Sequence, residues 1–274
     1  MDVRFRSVRH PVAITIHDAR IFEADKELQG DYPAWLDVQR MRYWTRRAMA
    51  SAQIVFTVSA FARGRLIELA GLHPQKVFVS GNGLSSDLIN IASELQIRKE
   101  PRPAELYLAV IGGLRPLKGG ECVLQVAQAI VRSGDNMRIA VIGGPNDVSL
   151  VKRAIEIGNI DFLGLVPEPD LWSYLSKATA LLFMSNYEGF GLPAIEAMAV
   201  GTPVICSNRT SLPEVVGSAA FVVDPGDISK IVAHVEQLRN DKSVRQRWIV
   251  AGLNHAKGFT WLKVAQRVHS ALLG

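Results

Sequence analysis

The sequence predicts an α/β protein with parallel sheets, and two observations carry this prediction. Short apolar runs of strand length alternate along the chain with longer segments of helical periodicity. Several of these runs end in glycines or polar residues directly before a helix, as in open α/β sheets that bind ligands at their strand ends. Strands are expected at residues 12–16, 54–58, 77–79, 106–111, 138–142, 160–163, 180–184, 203–206 and 220–223.

These elements divide into two Rossmann-like domains. The charged, proline-marked residues 97–103 have the composition of a linker. A first domain is therefore expected over 1–97 and a second over 104–258. The second has enough strands for a complete doubly wound domain, whereas the first has half as many and is expected to be incomplete. Residues 259–274 are predicted to form a closing amphipathic helix that Thr260 caps.

The segment from Glu188 to Glu196 is the most informative part of the sequence. It follows the apolar run 180–184, which is typical of a strand buried on both faces. Pro193 suits the first turn of a helix, and that helix is expected to end at Gly201. The predicted unit is therefore a strand, a glycine loop and a helix.

Such a unit has the chemistry to bind a phosphorylated sugar. The N–H groups of a helix N-terminus attract anions, and Gly189 and Gly191 let the backbone approach a ligand closely. Glu188 and Glu196 accept hydrogen bonds only, so they suit hydroxyl groups rather than phosphate. A sugar nucleotide meets both requirements. The alternative is that Glu196 complements the helix dipole and Glu188 is a solvated loop residue.

Residues 112–119 form a second glycine loop between a predicted strand and a helix. Its cations, Arg115 and Lys118, could neutralise a diphosphate that leaves as a glycosidic bond breaks. The alternative is that both are solvated loop residues. His17 also follows a predicted strand, where a histidine is more often structural than functional. Residues 57–59 and 81–83 are interpreted as a helix cap and a turn, and Glu214 as either structural or ligand-facing.

Composition is typical of a cytoplasmic enzyme. The chain has 274 residues, 48% of them hydrophobic and 21% charged, with a net charge of +5. Cys122 and Cys206 lie in apolar surroundings and are expected to be buried, reduced thiols. No apolar run has the length of a membrane span, and the N-terminus lacks the apolar core of a signal peptide.

Four arginines cluster in one predicted helix, at positions 40, 42, 46 and 47. The apolar face of that helix is expected to contain Ala34, Val38, Met41, Trp44 and Ala48. The simpler interpretation is a packing helix with a solvated basic face. The alternative is peripheral contact with an anionic membrane, which would suit a lipid-linked acceptor. Nucleic acid is not expected as a partner, because no recognised binding motif is present.

These motifs together resemble the family-four glycosyltransferases of GT-B fold. The signature is a glutamate, seven residues and a second glutamate, as at Glu188 and Glu196. The resemblance covers roughly the last two thirds of the chain, with further matches at residues 162–167, 171–182, 201–208, 212–217 and 223–227. It begins in the middle of the family's first domain, which again implies that the first domain is incomplete.

The resemblance implies roles for individual residues. Glu188 would contact the donor sugar, Glu196 the ribose, and His17 the donor sugar from the first domain. Lys118 would stabilise the leaving diphosphate, with Arg115 as a substitute, because Gly113 stands where the family has an arginine. The donor-binding residues implied are Gly112, Gly113, Arg115, Gly189, Phe190, Gly191, Leu192 and Glu196. In the family, the closing helix crosses back onto the first domain.

The main hypothesis is a retaining glycosyltransferase that needs no metal or other cofactor. It would move a hexose from a GDP- or UDP-linked donor, with mannose as one candidate, to a hydroxyl acceptor in cell-surface polysaccharide or glycolipid synthesis. The first alternative is a nucleotide-sugar-binding protein without catalytic activity. The second is an epimerase acting on a sugar nucleotide, for which the first domain supplies few acid or base residues.

Overall fold

The computed structural model describes residues 11–23, 35–97 and 107–273. The strands are β1 (Ala13–Ile16), β2 (Ile54–Thr57), β3 (Val77–Val79), β4 (Tyr107–Ile111), β5 (Arg138–Ile142), β6 (Ile160–Gly164), β7 (Ala180–Phe183), β8 (Val204–Ser207) and β9 (Phe221–Val223). The helices are α1 (Trp35–Ser51), α2 (Ala60–Ala70), α3 (Ser86–Ile97), α4 (Gly120–Arg132), α5 (Val148–Ile157), α6 (Glu168–Lys177), α7 (Leu192–Ala199), α8 (Leu212–Val216), α9 (Ile228–Asn240), α10 (Lys242–Ala256) and α11 (Trp261–Leu273). The predicted α/β class is confirmed.

The chain forms two compact units. The first contains the described residues up to Gly83, together with Tyr187–Phe190 and the closing residues from Thr260. The second contains Leu84–Asn186 and Gly191–Phe259. The predicted linker lies almost entirely outside the described residues. Helix α3 precedes this linker in the sequence, and it packs on α6 and α7 of the second unit. The buried side chains of Leu88 and Ala92 give α3 an apolar face for this packing.

The first unit has a parallel sheet of order β1-β2-β3. Its apolar cluster includes Met49 of α1, Val55 of β2 and Leu66 of α2, all fully buried. Helix α2 begins where the Ser59 side chain accepts a hydrogen bond from the amide of Ala62, and it ends at Gly71, whose φ is +69°. The predicted helix cap at residues 57–59 is thus present.

Helix α1 buries a different face from the predicted one. Val38 and Ala48 are buried as expected, but Met41 is 40% exposed, and Ala34 lies outside the described residues. Arg42 turns inward instead, because its guanidinium donates to the carbonyl oxygens of Ile21 at 2.5 Å and Glu23 at 2.7 Å. These carbonyls belong to a short 3-10 turn and its end, where backbone acceptors need external donors.

The arginine cluster therefore has a partly structural role. Arg46 lies over the ring of Phe22, with 5.2 Å between its Cζ and the ring centre, and also donates to the carbonyl of Leu69. Arg40 forms an exposed pair with Asp37 at 3.6 Å. Exposed pairs of this kind contribute little stability. Arg40, Arg46 and Arg47 are all exposed, and Arg42 is the cluster member that is partly buried.

The second unit has a parallel sheet of order β6-β5-β4-β7-β8-β9. Every residue of β7 is buried, as its continuous apolar sequence predicts for a central parallel strand. The core on the side of α4 and α5 includes Val123, Leu124 and Ala127. Cys122 and Cys206 are buried thiols, and burial raises the pKa of each to about 12. Within the described residues, no helix combines the length and apolarity needed to cross a membrane.

Candidate functional site

The strand order of the second unit locates its ligand-binding edge. The chain runs outward from β4 through β5 to β6 on one side, and from β7 through β8 to β9 on the other. Strands β4 and β7 are therefore the neighbours at which the order reverses. In open α/β sheets, ligands bind at the carboxyl ends of the strands beside such a reversal. The two predicted glycine loops begin directly after those two strands.

The loop after β4 places Lys118 across its glycines. Gly112 and Gly113 have φ of +95° and +78°, which glycine adopts without strain. The Lys118 chain lies so close to Gly112 that an added methyl group there would be 3.3 Å from Lys118 Cε. The Arg115 side chain lies against its own loop, where its Nε donates a hydrogen bond to the carbonyl of Gly112 at 3.1 Å.

Gly113 has no room for a side chain. A methyl group there would collide with the carbonyl oxygen of Pro145, in the loop that follows β5. This loop is tied to the Gly113 region, because the Asn146 side chain accepts a hydrogen bond from the amide of Leu114 at 2.6 Å. The family arginine that the sequence lacks at this position is therefore excluded by the local backbone.

Asn186, which follows β7, is bonded to the glycine loop that follows β4. Its amide donates to the carbonyl of Leu117, and its side-chain Nδ2 donates to the carbonyl of Pro116, both at 2.8 Å. The backbone also approaches closely, because a methyl group on Gly119 would collide with the carbonyl of Met184. Sequence reasoning missed Asn186. Its only signal was a polar residue two positions after a buried strand.

The N-terminus of α7 is formed by Gly191 and Leu192. Gly191 has φ of +98°, and no side chain caps the helix. A side chain at Gly191 would collide with the buried Leu212 at the start of α8. Leu212 thus packs beneath this turn, whereas Glu214 is exposed. The amides of the first turn of α7 are donors of the kind that bind phosphate oxygens.

Glu196 lies in α7 and is partly buried. Burial, with the nearby charge of Glu168 as a smaller cause, raises its pKa from 4.5 to about 7. Desolvation of the charged form is the physical reason. Hydroxyl donors would stabilise the charged form of this partly desolvated carboxylate. Its pKa would then fall back toward the ordinary value.

We expect Glu196→Gln to remove a pH dependence of stability. Between pH 4.5 and about 7 the folded protein keeps a proton on Glu196 that the unfolded chain has released, so the free energy of unfolding falls as pH rises. Since one pKa unit corresponds to about 1.4 kcal/mol, the wild type should lose about 2–3 kcal/mol relative to Glu196→Gln between about pH 5 and about pH 8. Urea unfolding of both proteins measures this difference, and parallel pH profiles would contradict it.

The first unit brings His17 and the Glu188 segment together. We use "Glu188 segment" for Tyr187–Phe190. The Ser59 hydroxyl donates to the carbonyl of Gly189 at 2.5 Å. A methyl group on Gly189 would collide with the carbonyl oxygen of His17, so the segment lies directly against the end of β1. The His17 side chain is exposed, Phe190 is buried and Glu188 is partly buried.

Tyr187 is the second residue of this region that sequence reasoning missed. Its hydroxyl donates to Glu23 Oε1 at 3.2 Å, and its ring meets the Phe61 ring edge-on with centroids 5.6 Å apart. Burial and the charges of Glu23 and Asp18 raise the pKa of Tyr187, so its hydroxyl stays protonated. Glu23 lies 164 residues away in sequence, and no local pattern indicates the pair.

Other predicted landmarks of the first unit have structural roles. Gly83 approaches the backbone of Trp261 so closely that a methyl group would lie 2.6 Å from its nitrogen. Gly81, with φ of +77°, is close to the Arg267 side chain. Both contacts connect the turn 81–83 to α11 within the first unit. The interpretation of this turn as architectural agrees with these contacts.

The structure divides the predicted site residues between the two units. His17, Glu188, Gly189 and Phe190 belong to the first, and the remaining predicted residues belong to the second. In the described part of the chain, no group of three or more His, Cys, Asp or Glu side chains could hold a metal ion.

The fold defines the class of protein. It is of the GT-B type, with Rossmann-like parallel sheets. The structure of Anabaena Alr3699/HepE in complex with UDP and glucose matches 97% of this chain and 72% of its own, with a TM-score of 0.73 at 18% identity. The structure of TarM matches 95% of this chain and 50% of its own, with a TM-score of 0.73 at 15% identity.

Sequence comparison gives the family. The model of the family described as "Glycosyl transferases group 1" matches residues 93–255, and the chain belongs to this family. O-antigen chain mannosyltransferase B of Escherichia coli is 36% identical over 260 residues, which are 90% of this chain and 66% of the relative. D-inositol 3-phosphate glycosyltransferase of Corynebacterium diphtheriae is 28% identical over 272 residues, 93% of this chain and 64% of the relative. The chain thus spans about two thirds of the length of these relatives.

Proposed function

We propose that the protein transfers a hexose from a nucleoside diphosphate sugar to a hydroxyl acceptor, with retention at the anomeric carbon. The observation that carries this proposal is the pair of glycine loops at the β4–β7 reversal, joined by Asn186 and crossed by Lys118. Such a site offers one cation and a row of amide donors to a diphosphate. Family membership supports the same chemistry.

The chain's own residues divide the work of this reaction. Lys118 and the first-turn amides of α7 would stabilise the charge that develops on the departing diphosphate. Glu196 would accept hydrogen bonds from the ribose, and Glu188 from the donor sugar. His17 would contact the sugar from the first unit. No metal or other cofactor takes part in the proposed reaction.

The relatives supply candidates for the donor and acceptor. The Escherichia coli relative is named as a mannosyltransferase, which makes mannose the first donor sugar to test, and the O-antigen chain in its name supports a role in cell-surface polysaccharide or glycolipid synthesis. GDP and UDP are the candidate nucleotides, the latter because Alr3699/HepE was solved with UDP. We also propose a cytoplasmic location with peripheral contact to anionic membrane through exposed Arg40 and Arg47, which sedimentation with anionic vesicles would measure.

A nucleotide-sugar-binding protein without turnover is the second candidate. It is favoured by Gly113, where the surrounding backbone excludes the arginine of the family pattern, and by Arg115, whose Nε is turned toward a loop carbonyl. Lys118 then remains as the predicted diphosphate cation of this loop. The two candidates share a binding site and differ in turnover.

A nucleotide panel separates these candidates. We expect one of GDP, UDP and ADP, or its sugar conjugate, to raise the unfolding temperature of the wild type. At about 100 times its Kd a ligand adds about 2.7 kcal/mol of stability. Glu196→Ala should weaken the response. Binding with release of nucleoside diphosphate in the presence of an acceptor supports the transferase, binding without turnover supports the second candidate, and no binding overturns both.

A further inference from the structure

The Glu188 segment is fixed on both sides of Glu188 by contacts within the first unit. On its C-terminal side, the Gly189 carbonyl accepts from Ser59, and the Gly189 backbone lies against the carbonyl of His17. Ser59 is itself held as the N-cap of α2, at 3.0 Å from the amide of Ala62. The position after Glu188 is therefore set by rigid secondary structure.

On the N-terminal side, Tyr187 reaches an ion pair whose carboxylate is buried. Its acceptor, Glu23, is 4% exposed, and Arg65 donates through Nε to the same Glu23 oxygen at 2.8 Å. A second guanidinium nitrogen of Arg65 pairs with the other oxygen of Glu23, so the carboxylate is bound bidentately. Such a carboxylate has one orientation, and the tyrosine hydroxyl that donates to it is fixed with it.

The ion pair is in turn anchored to two helices. Arg65 belongs to α2 and also pairs with Glu68 at 2.6 Å. Arg42 of α1 donates to the backbone carbonyl of Glu23 at 2.7 Å. The side chain of Glu23 is thus held by α2 and its backbone by α1, so Glu23 has little conformational freedom.

We propose that Tyr187 is a positioning residue that fixes Glu188 by donating a hydrogen bond to the buried carboxylate of Glu23, which Arg65 binds. The inference rests on the proposed role of Glu188 in contacting the donor sugar. When the residues before and after Glu188 are both held by hydrogen bonds or close backbone contacts, the Glu188 side chain is positioned before the ligand binds. Displacement of a sugar-contacting group by about 1 Å can reduce the rate about 100-fold. The hydroxyl of Tyr187 therefore affects turnover more than it affects folding.

Tyr187→Phe tests this role, with Tyr107→Phe as the matched control. Both substitutions remove a tyrosine hydroxyl that donates a hydrogen bond, and the Tyr107 hydroxyl donates to the carbonyl of Tyr174 in the second unit. We expect Tyr187→Phe to lower kcat about tenfold or more, with donor KM within about twofold of the wild type and an unfolding temperature equal to that of the control. Wild-type kcat in Tyr187→Phe would overturn the proposal.

Hydrogen exchange provides a measurement that does not depend on turnover. We expect faster amide exchange in residues 185–191 for Tyr187→Phe and for Glu23→Gln, and wild-type exchange there for Tyr107→Phe. Unchanged exchange in Tyr187→Phe would overturn the proposal even if Glu23→Gln fails to fold. If the wild type shows no turnover with any sugar nucleotide, the proposed function fails, while the exchange of residues 185–191 still decides whether Tyr187 positions this segment.

Discussion

Glu188→Gln is expected to lower the rate of hexose transfer by about 100- to 1000-fold. The substitution keeps the size of the side chain and removes its charge, so hydroxyl groups that lose electron density in the transition state lose their strongest acceptor. Loss of one such preorganised contact typically costs this much in kcat. The neighbouring backbone is fixed by Ser59 and Tyr187, so the fold of the first unit should be unchanged.

Steady-state kinetics with the donor identified by the nucleotide panel measures this effect. The affinity for the nucleoside diphosphate alone should stay within about twofold of the wild type, because that ligand lacks the sugar. Glu236→Gln is the control, since Glu236 is an exposed glutamate of α9. Full activity in Glu188→Gln would remove Glu188 from the mechanism, and equal losses in both variants would indicate a general effect of reduced charge.

The strands of this fold could be predicted from the sequence because they are local apolar runs. Strand β7 was expected at residues 180–184 and is observed at Ala180–Phe183, and β8 was expected at 203–206 and is observed at Val204–Ser207. A parallel strand buried on both faces has no polar positions that could make its periodicity ambiguous. The glycine loops were predictable for a similar reason, since each follows directly in sequence from its strand.

Helix packing was less predictable because it depends on partners distant in sequence. The expected face of α1 included Met41, yet Arg42 turns inward to satisfy carbonyls of a turn about 20 residues earlier. The hydrophobic pattern of α1 contains no information about those carbonyls. Helix α3 packs on α6 and α7, and its apolar face at Leu88 and Ala92 does not by itself identify the helices that cover it.

The groups that hold the site in place were missed for the same reason. Ser59 donates to a carbonyl 130 residues away, and Asn186 donates to one 70 residues away. Residue types indicate which chemistry a site could perform, whereas the contacts that support the site depend on the tertiary structure.

Gly119→Ala is expected to destabilise the second unit by about 3 kcal/mol or more. Gly119 has φ of +74°, and left-handed backbone costs a residue with a side chain about 1–2 kcal/mol. A methyl group would also collide with the carbonyl of Met184, which is backbone at the end of the buried strand β7 and cannot move without disturbing the sheet. Overpacking of this kind typically adds about 1–3 kcal/mol.

Gly134→Ala separates the two contributions. Gly134 also has φ of +74°, but an added methyl group there has no heavy atom within 4 Å. Gly134→Ala should therefore lower the free energy of unfolding only by the cost of left-handed backbone. That cost is about 1 kcal/mol, once the smaller entropy of the unfolded chain with alanine is subtracted. Urea unfolding of both variants gives the difference, which is the cost of the collision with Met184. Equal destabilisation would mean that the loops after β4 and β7 are not in close contact. A larger loss in Gly119→Ala, accompanied by loss of nucleotide binding, would show that the approach of Gly119 to Met184 is needed to form the proposed diphosphate site.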